Sequence, residues 1–213
     1  MPTENSYKIR TKNRELFLRV AEGHFVTGHS HINYYIDVTT QKTRLSEAQA
    51  VARELVSHYN NNTIVDTVLC LDGTEVIGTC LAEELTRGDF VNMNAHQTIY
   101  VVTPEHTAGS QIIFRDNIVP MIAGKHVLIL AASVTTGYTA RAAVEAVQYY
   151  GGSVAGICSV FATLDNCVGH TIHSIFNPKD LPGYASYASH ECPLCREGKK
   201  IDALVNSFGY SKL

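Results

Sequence analysis

Residues 126–139, with the sequence HVLILAASVTTGYT, constrain the fold of this chain more than any other stretch. The four apolar residues 127–130 predict a strand that is buried on both faces. Residues 139–150 have apolar positions at helical spacing and precede two glycines, which predicts a helix that ends at Gly151. Its predicted buried positions are Ala140, Ala143, Val144 and Val147.

Between the two elements lies a turn of small and hydroxyl residues. Such a turn can bind an anion, because unpaired backbone N–H groups point outward at the positive end of a helix. An ordinary strand-to-helix turn is the alternative interpretation.

Length and charge exclude several classes of protein. A chain of 213 residues is long enough for one domain with a full core. Its net charge of -3, with mixed signs, does not indicate binding to nucleic acid or to a membrane surface. No apolar run has the length of a membrane span, and the first residues do not resemble a signal peptide. We therefore expect a cytoplasmic protein, in which the six cysteines are free thiols or metal ligands.

Predicted strands and helices alternate through the middle of the chain. The predicted strands, besides 127–130, are residues 63–71, 98–102 and 154–161, and the predicted helices, besides 139–150, are 46–59 and 75–86. A capping box at residues 46–49 begins the first of these helices. This alternation predicts a parallel sheet with right-handed crossovers, whose switch-point crevice gathers the turns at 71–75 and 131–139. We also predict a short helix over 14–22, and little regular structure over 103–124.

The turn after the central strand carries a resemblance. It resembles the PRPP-binding motif of type I phosphoribosyltransferases, in which an apolar strand and two acidic residues precede Thr-Thr-Gly-Gly-Thr. Tyr138 replaces the second glycine here, and Ala131 and Ala132 occupy the two acidic positions. The resemblance implies a phosphate-binding site made of Ser133, Val134, Thr135, Thr136, Gly137, Tyr138 and Thr139. It also implies a single α/β domain with a Rossmann-like central parallel sheet flanked by helices. The implied segments are an N-terminal hood at 1–45, a core at 46–165 and a tail at 166–213.

Two further segments resemble orotate phosphoribosyltransferases within that family. Residues 23–37 are similar to the family's Gly-x-Phe, Ser-Gly, Ser and Tyr pattern, with His31 at the position of the serine and Tyr34 at that of the tyrosine. Val26 occupies the position of a lysine that contacts orotate. The tail contains Cys-Pro-x-Cys-x-x-Gly, which recurs in some members of the family. The residues implied to lie near the base are Phe25, Thr27 and Gly28.

The segments that would hold pyrophosphate depart from the family pattern. The turn equivalent to the pyrophosphate-binding turn consists of Asp72, Gly73, Thr74 and Glu75, without a lysine or arginine. Two carboxylates repel a polyanion, so we expect this turn to bind pyrophosphate poorly. A surface turn with acids favoured by the helix dipole is the alternative interpretation. Of the family's mobile catalytic loop, only Glu105 and Gly109 remain, and Arg115 is the nearest cation.

Two groups of residues raise the question of a metal. We interpret His24, His29 and His31 as polar loop residues, because no acidic or cysteine partner is interleaved with them. Cys192 and Cys195 supply two of the four ligands of a structural zinc site, or else are two free thiols in a turn. The residues that could complete a zinc site are Cys167, His170, His173 and His190.

The resemblance leaves three hypotheses about function. In the family, the acidic pair binds the ribose hydroxyls, Mg²⁺ bridges hydroxyls and pyrophosphate, and basic residues stabilise the leaving charge. The chain could transfer phosphoribosyl from PRPP to orotate with substitute residues, or it could be an enzyme of another class. The missing acidic pair and lysines favour a third hypothesis. In this hypothesis, the protein is a weak or inactive relative of the family's enzymes that binds a phosphorylated ribose or a nucleotide. The resemblance also implies that it forms a homodimer, as members of the family do.

Overall fold

The computed structural model describes residues 6–11, 16–59, 61–87, 93–95, 97–107 and 111–213. The strands are β1 (Ser6–Arg10), β2 (Phe17–Val26), β3 (His31–Asp37), β4 (Thr67–Cys70), β5 (Tyr100–Val102), β6 (Glu105–His106), β7 (Ile112–Ile113), β8 (His126–Val134), β9 (Ser153–Ala162), β10 (Asn166–Cys167), β11 (His170–Phe176), β12 (Ser186–Tyr187), β13 (Ala203–Asn206) and β14 (Gly209–Lys212). The α-helices are α1 (Thr39–Thr43), α2 (Leu45–Val56), α3 (Glu75–Thr86), α4 (Tyr138–Tyr149) and α5 (Pro193–Arg196). Short 3₁₀ turns occupy Val119–Met121, Pro178–Asp180 and Ser189–Glu191.

One compact unit, Gln41–Ile175, contains the predicted parallel sheet. Its strands follow the order β10-β11-β9-β8-β4-β5, and β5, β4, β8 and β9 are parallel neighbours. The register pairs Leu69 of β4 with Ile129 of β8, and Ile129 with Ile157 of β9. The α/β fold with a central parallel sheet is confirmed, and the turns at 71–75 and 131–139 follow neighbouring strands of this sheet.

The core of this unit surrounds β8. Residues 127–130 are fully buried, as expected for a strand with neighbours on both sides and covered faces. Helix α4 packs on the sheet through the predicted apolar positions, and Ala143, Val144 and Val147 are fully buried. Gly151 ends the helix with a φ of 80°, a left-handed conformation that glycine adopts without steric cost. The prediction for this helix is confirmed to within one residue at each end.

The second compact unit combines the described residues up to Thr40 with Phe176–Leu213. Its sheet has the order β12-β3-β2-β13-β14, and β1 pairs with β2. The predicted helix over 14–22 is wrong where the structure describes it, because β2 occupies Phe17–Val26. Leu18 and Val20 are buried while Phe17 and Arg19 are half-exposed, the two-residue period of a strand. Hydrogen bonding to β1 and β3 on either side outweighs the helical propensity of this segment.

Several boundaries differ from the sequence prediction. The strand predicted over 63–71 is shorter, because within it only Thr67–Cys70 pair with β8, and only residues 67–69 also pair with β5. The predicted capping box does not form, since α2 begins at Leu45, after an Arg44 N-cap whose side chain makes no capping hydrogen bond. The region 103–124 is also more regular than predicted, as it holds the β6–β7 hairpin and a 3₁₀ turn.

Two expectations concern the whole chain. Within the described ranges, no helix is both long enough and apolar enough to cross a membrane. The division of the chain into hood, core and tail segments of one domain stays a prediction.

Candidate functional site

The predicted phosphate-binding residues 133–139 cross three kinds of local structure. Ser133 and Val134 continue β8 and pair with Phe161 and Ala162 of β9, so the strand extends beyond the apolar run. The turn itself is residues 135–137, and α4 begins at Tyr138. The first turn of the 12-residue helix α4 therefore lies next to the carboxyl end of the buried strand β8.

Gly137 is the N-cap of α4 and has a left-handed backbone conformation, with φ 78° and ψ -1°. A Cβ atom at this position would lie 2.9 Å from Cδ1 of Leu164, so a side chain meets both strain and a steric clash. Since glycine has no side chain to cap the helix, the N–H groups of the first turn receive no hydrogen bond acceptor from the N-cap residue. No acidic residue occupies the first turn of α4. These features leave the positive end of the helix dipole available to an anion.

Residues that follow β9 contact the carbonyl groups of the turn and of the strand end before it. The Thr163 hydroxyl donates to the Thr135 carbonyl at 2.6 Å, and the Thr163 N–H donates to the Val134 carbonyl at 2.9 Å. The Cys167 thiol lies 3.9 Å from the Gly137 carbonyl. These contacts tie three carbonyl groups of the turn region to residues that follow β9. A small open cavity of about 40 Å³ is lined by residues 133–140 and Ala131.

The two alanines at the family's acidic positions are buried parts of β8. Ala131 is 2% exposed and packs in the apolar core, and Ala132 is 3% exposed. Neither methyl group can accept a hydrogen bond from a hydroxyl of a sugar. The wall at this end of the strand is therefore apolar where the family presents two carboxylates.

The second turn, Asp72–Glu75, follows β4, the strand beside β8. The Leu71 N–H donates to the Leu130 carbonyl at 2.8 Å, and the Thr74 hydroxyl lies 3.3 Å from the same carbonyl. Asp72 and Gly73 both have positive φ, 59° and 75°, which produces the tight reversal before α3. The structure thus brings the two predicted turns to the same edge of the sheet.

Lys42 supplies this second turn with a cation that the sequence prediction missed. Its ammonium Nζ donates a hydrogen bond to the Asp72 carbonyl at 2.7 Å, and the residue is only 9% exposed. The segment 72–75 itself contains no lysine or arginine, but the folded chain brings Lys42 to it. No local signal could have identified Lys42, because thirty positions separate it from Asp72. The expectation that this turn binds pyrophosphate poorly stays a prediction.

Arg115, the nearest cation of the region that resembles the catalytic loop, pairs with Glu105. Its guanidinium donates two parallel hydrogen bonds of 2.6 Å to the Glu105 carboxylate. These bonds lower the pKa of the Glu105 carboxyl. Both side chains are at least half-exposed, so the pair adds little to stability. Gly109, the other residue retained from the family's loop, lies outside the described residues.

The residues predicted to lie near a base belong to the other compact unit. Phe25 is fully buried in its core and packs at 6.0 Å from Tyr35, ring centre to ring centre. The Thr27 hydroxyl bonds to Ser30 and accepts the Ser30 N–H at 2.9 Å, which closes the turn that contains Gly28. Their role in contacting a base stays a prediction.

The structure changes the candidate metal ligands. His24, His31, Cys192 and Cys195 place four ligand atoms within 4.8 Å of one another. His24 and His31 are buried strand residues, so their interpretation as polar loop residues is wrong; His29 alone is an exposed residue of the turn. The four residues predicted to complete the site lie outside this group, namely Cys167, His170, His173 and His190. A spacing rule could not bring these residues together, because the histidines and the cysteines they contact are 164 to 171 positions apart in sequence.

Comparisons with known proteins agree with the fold. No protein-family model matches the chain. An orotate phosphoribosyltransferase of Chlorobaculum parvum is 28% identical over 186 residues, which is 85% of this chain and 86% of that protein. The structure of Leishmania donovani UMP synthase superposes with a TM-score of 0.54 at 20% identity, over 76% of this chain and 34% of that one. Orotate phosphoribosyltransferase from Mycobacterium tuberculosis H37Rv, solved in complex with PRPP, superposes with a TM-score of 0.50 at 20% identity, over 69% and 82%.

The sheet order, the turn before α4 and these superpositions define an α/β protein with the phosphoribosyltransferase fold. In sequence, the chain resembles orotate phosphoribosyltransferases, which are type I phosphoribosyltransferases, over most of its length.

Proposed function

We propose that this protein binds the 5′-phosphate of a phosphorylated ribose or of a nucleotide at residues 133–139, and that its capacity to transfer phosphoribosyl is weak or lost. One observation carries the proposal. The strand, turn and helix start that accept a phosphate are intact, whereas the two acidic positions directly before them are the buried residues Ala131 and Ala132.

Phosphate binding at this turn does not depend on the missing carboxylates. The binding groups are backbone N–H groups at the start of α4 together with the helix dipole, and Gly137 leaves room for them to approach a ligand. Two alanines in place of two aspartates also remove negative charge beside the phosphate, which favours an anionic ligand. The exposed hydroxyl side of the turn, at Ser133 and Thr136, offers further donors.

Phosphoribosyl transfer, in contrast, loses several of the interactions that bind PRPP and stabilise the leaving pyrophosphate. Charge-assisted hydrogen bonds are worth about 1.5–3 kcal/mol each. Without the acidic pair, PRPP binding weakens by roughly 3–6 kcal/mol, or about two to four decades in affinity. The region equivalent to the catalytic loop supplies Arg115, which is already matched by Glu105. These losses fall on the same reaction, which is why we place binding ahead of catalysis.

A second candidate function is active transfer from PRPP to orotate or another base, with substitute residues and Mg²⁺. Lys42 favours it, because it brings a positive charge to the turn that is equivalent to the family's pyrophosphate turn. The matched relatives of this chain are named orotate phosphoribosyltransferases, and one superposed structure was solved with PRPP. The two candidates differ in whether PRPP is held as a reactive substrate or only through its 5′-phosphate.

The same proposal includes a homodimer, as the resemblance implies, and a location in the cytoplasm, as the sequence patterns predict. Light scattering on the purified chain tests the dimer directly.

A thermal-shift screen tests the proposed function. The ligands are PRPP with Mg²⁺, orotate, pyrophosphate, ribose 5-phosphate and nucleoside 5′-monophosphates. A ligand present at a hundred times its Kd stabilises the folded state by about 2.7 kcal/mol, which raises the Tm of a chain of this size by roughly 5–10 °C. The proposal requires a rise with at least one 5′-monophosphate. A rise with PRPP and orotate alone would contradict it and support the second candidate.

A further inference from the structure

Four side chains converge on one point in the unit that contains both chain ends. The atoms are His24 Nε2, His31 Nδ1, Cys192 Sγ and Cys195 Sγ. The His24 Nε2–His31 Nδ1 distance is 3.0 Å, both sulfur atoms lie 3.6 Å from His24 Nε2, and Cys195 Sγ lies 3.3 Å from His31 Nδ1. From these distances we propose a structural zinc site with two histidine and two cysteine ligands, which is independent of the phosphate-binding turn.

The nitrogen–sulfur distances of 3.3–3.6 Å match the edges of a tetrahedron around zinc, and the nitrogen–nitrogen distance of 3.0 Å is a few tenths of an ångström shorter than such an edge. With Zn–N bonds of about 2.05 Å and Zn–S bonds of about 2.3 Å, the ligand atoms of a tetrahedral site lie about 3.3–3.8 Å apart. Pairwise hydrogen bonds alone do not explain the arrangement. His24 Nε2 has three of these atoms as neighbours, although the ring nitrogen of a neutral imidazole has a single lone pair or a single proton to offer.

The other nitrogen of His24 is fixed in the way that metal-binding histidines require. Nδ1 lies 2.9 Å from the Lys199 carbonyl, and because a carbonyl only accepts, Nδ1 carries the proton. In the neutral ring with this tautomer, Nε2 is the unprotonated nitrogen, and its lone pair faces the other three ligand atoms. A backbone carbonyl on the far nitrogen is a common way to orient a histidine ligand.

The backbone around the site is built to present these side chains. Strand β2 has an irregular register between Glu22 and Phe25, and both His24 and Phe25 are buried although they are consecutive. A regular strand would send them to opposite faces, so the bulge turns His24 inward. The His24 N–H donates to the Asp202 carboxylate at 2.7 Å, and the Asp202 N–H donates to the His24 carbonyl at 2.8 Å.

Burial and chemistry favour zinc over other cations. His24, His31 and Cys192 are buried, and Cys195 is the exposed member through which an ion can enter. Two thiolates and two imidazoles provide the soft and borderline ligands that zinc binds in closed four-coordinate sites. The charges of two thiolates and one Zn²⁺ cancel, so the ion can be buried without a net charge. The ion would join the β2–β3 hairpin to the C-terminal segment.

Metal analysis of the full-length chain tests the site. The protein is purified under reducing conditions without added metal and examined by elemental analysis and native mass spectrometry. We expect about one zinc per chain, as in structural sites of this kind. Replacement of the ion by Co²⁺ should give the visible spectrum of a tetrahedral centre with thiolate charge transfer. This spectrum requires no variant, so it remains informative if a ligand substitution prevents folding.

Two sets of variants locate the ion. Cys192→Ser and His24→Asn should each reduce bound zinc at least fivefold and lower the Tm. The control variants His29→Asn and His190→Asn change neighbouring histidines outside the cluster and should retain the zinc. Cys195→His keeps four ligands and should still bind zinc. A reduced, cooperatively folded chain that holds neither zinc nor Co²⁺ would overturn the proposal. Three other results would also overturn the proposal. They are a Cys192–Cys195 disulfide in the protein as purified, iron in place of zinc, and loss of zinc in the control variants as well as in the ligand variants.

Discussion

The Lys42 ammonium donates a 2.7 Å hydrogen bond to the main-chain carbonyl of Asp72, in the turn between β4 and α3. The lysine is nearly buried, so its charge acts in surroundings that screen it less than water does. It therefore offsets part of the negative charge that Asp72 and Glu75 bring to this turn. A turn whose only charged side chains in sequence are acidic therefore has a cation beside it in the folded chain, and we expect any affinity of the turn for pyrophosphate to depend on Lys42.

Replacing Lys42 with methionine should weaken the remaining binding of pyrophosphate at this turn by about tenfold or more, because a nearly buried positive charge is removed from a turn that also carries Asp72 and Glu75. Binding of ribose 5-phosphate at residues 133–139 should change less than threefold. Calorimetry of both ligands measures these effects. Lys125→Met is the matched control, since that lysine precedes the opposite end of β8. Pyrophosphate affinity that is equal in the Lys42 variant and the wild type would show that Lys42 has only a structural role.

Purified protein with Mg²⁺, PRPP and orotate should consume orotate at trace rates only. Ala131 and Ala132 present no acceptor for the ribose hydroxyls, and Arg115 is matched by Glu105. The loss of orotate absorbance measures the rate, with a known orotate phosphoribosyltransferase as the positive control. Turnover on the order of 1 s⁻¹ or faster, which is ordinary for enzymes, would establish catalysis by substitute residues.

Acid should destabilise the unit that contains the parallel sheet, in part through His173. Its ring stacks on His58 at 4.2 Å between ring centres. Burial and the neighbouring His58 lower the pKa of His173. A base with a lowered pKa binds fewer protons when folded than when unfolded. The stabilisation is therefore present above the unfolded pKa of about 6.5 and is lost as the pH falls through the lower folded value.

His173→Phe keeps a stacked ring without a titrating group, so its Tm should fall less between pH 7 and pH 5 than that of the wild type. Scanning calorimetry across this range provides the comparison, and His170→Phe on the same strand is the control. If the wild type and the His173 variant lose the same stability over this range, the stacked pair makes no contribution to the pH dependence.

Much of the fold follows from patterns that are local in sequence. The apolar run 127–130 and the 3.6-residue spacing of α4 predicted a buried strand and a helix to within a few residues. The segment over 17–22 was misassigned because its strand character depends on hydrogen bonding to β1 and β3. Neither partner can be identified from the segment itself, so its helical propensity dominated the prediction.

In the candidate sites, too, the features that are local in sequence were predicted, and those that depend on distant residues were not. Residues 133–139 form a motif in one continuous segment, so the sequence alone located them. Lys42 and the pair His24 and His31 could not be assigned, because their partners lie thirty to about 170 residues away in sequence and become neighbours only after folding. Histidines without nearby cysteines in sequence resemble ordinary polar residues until a distant Cys-x-x-Cys segment folds against them.

The central claim is that the phosphate-binding turn works without the transfer chemistry, and Gly137 is the residue on which it depends. Gly137→Val should abolish phosphate binding, since valine is strained at a φ of 78° and its Cβ would lie 2.9 Å from Leu164. Gly151→Val is the matched control. That glycine has a φ of 80° at the other end of α4 and no atom within 4 Å of an added Cβ, so the variant carries similar backbone strain away from the turn.

Isothermal titration calorimetry with ribose 5-phosphate and with PRPP plus Mg²⁺, on the wild type and both glycine variants, tests the claim most directly. We predict that the monophosphate binds the wild type more tightly than PRPP does, that Gly137→Val loses this binding, and that Gly151→Val retains it. Tight Mg²⁺-dependent binding of PRPP, with no measurable binding of the monophosphate, would contradict the account.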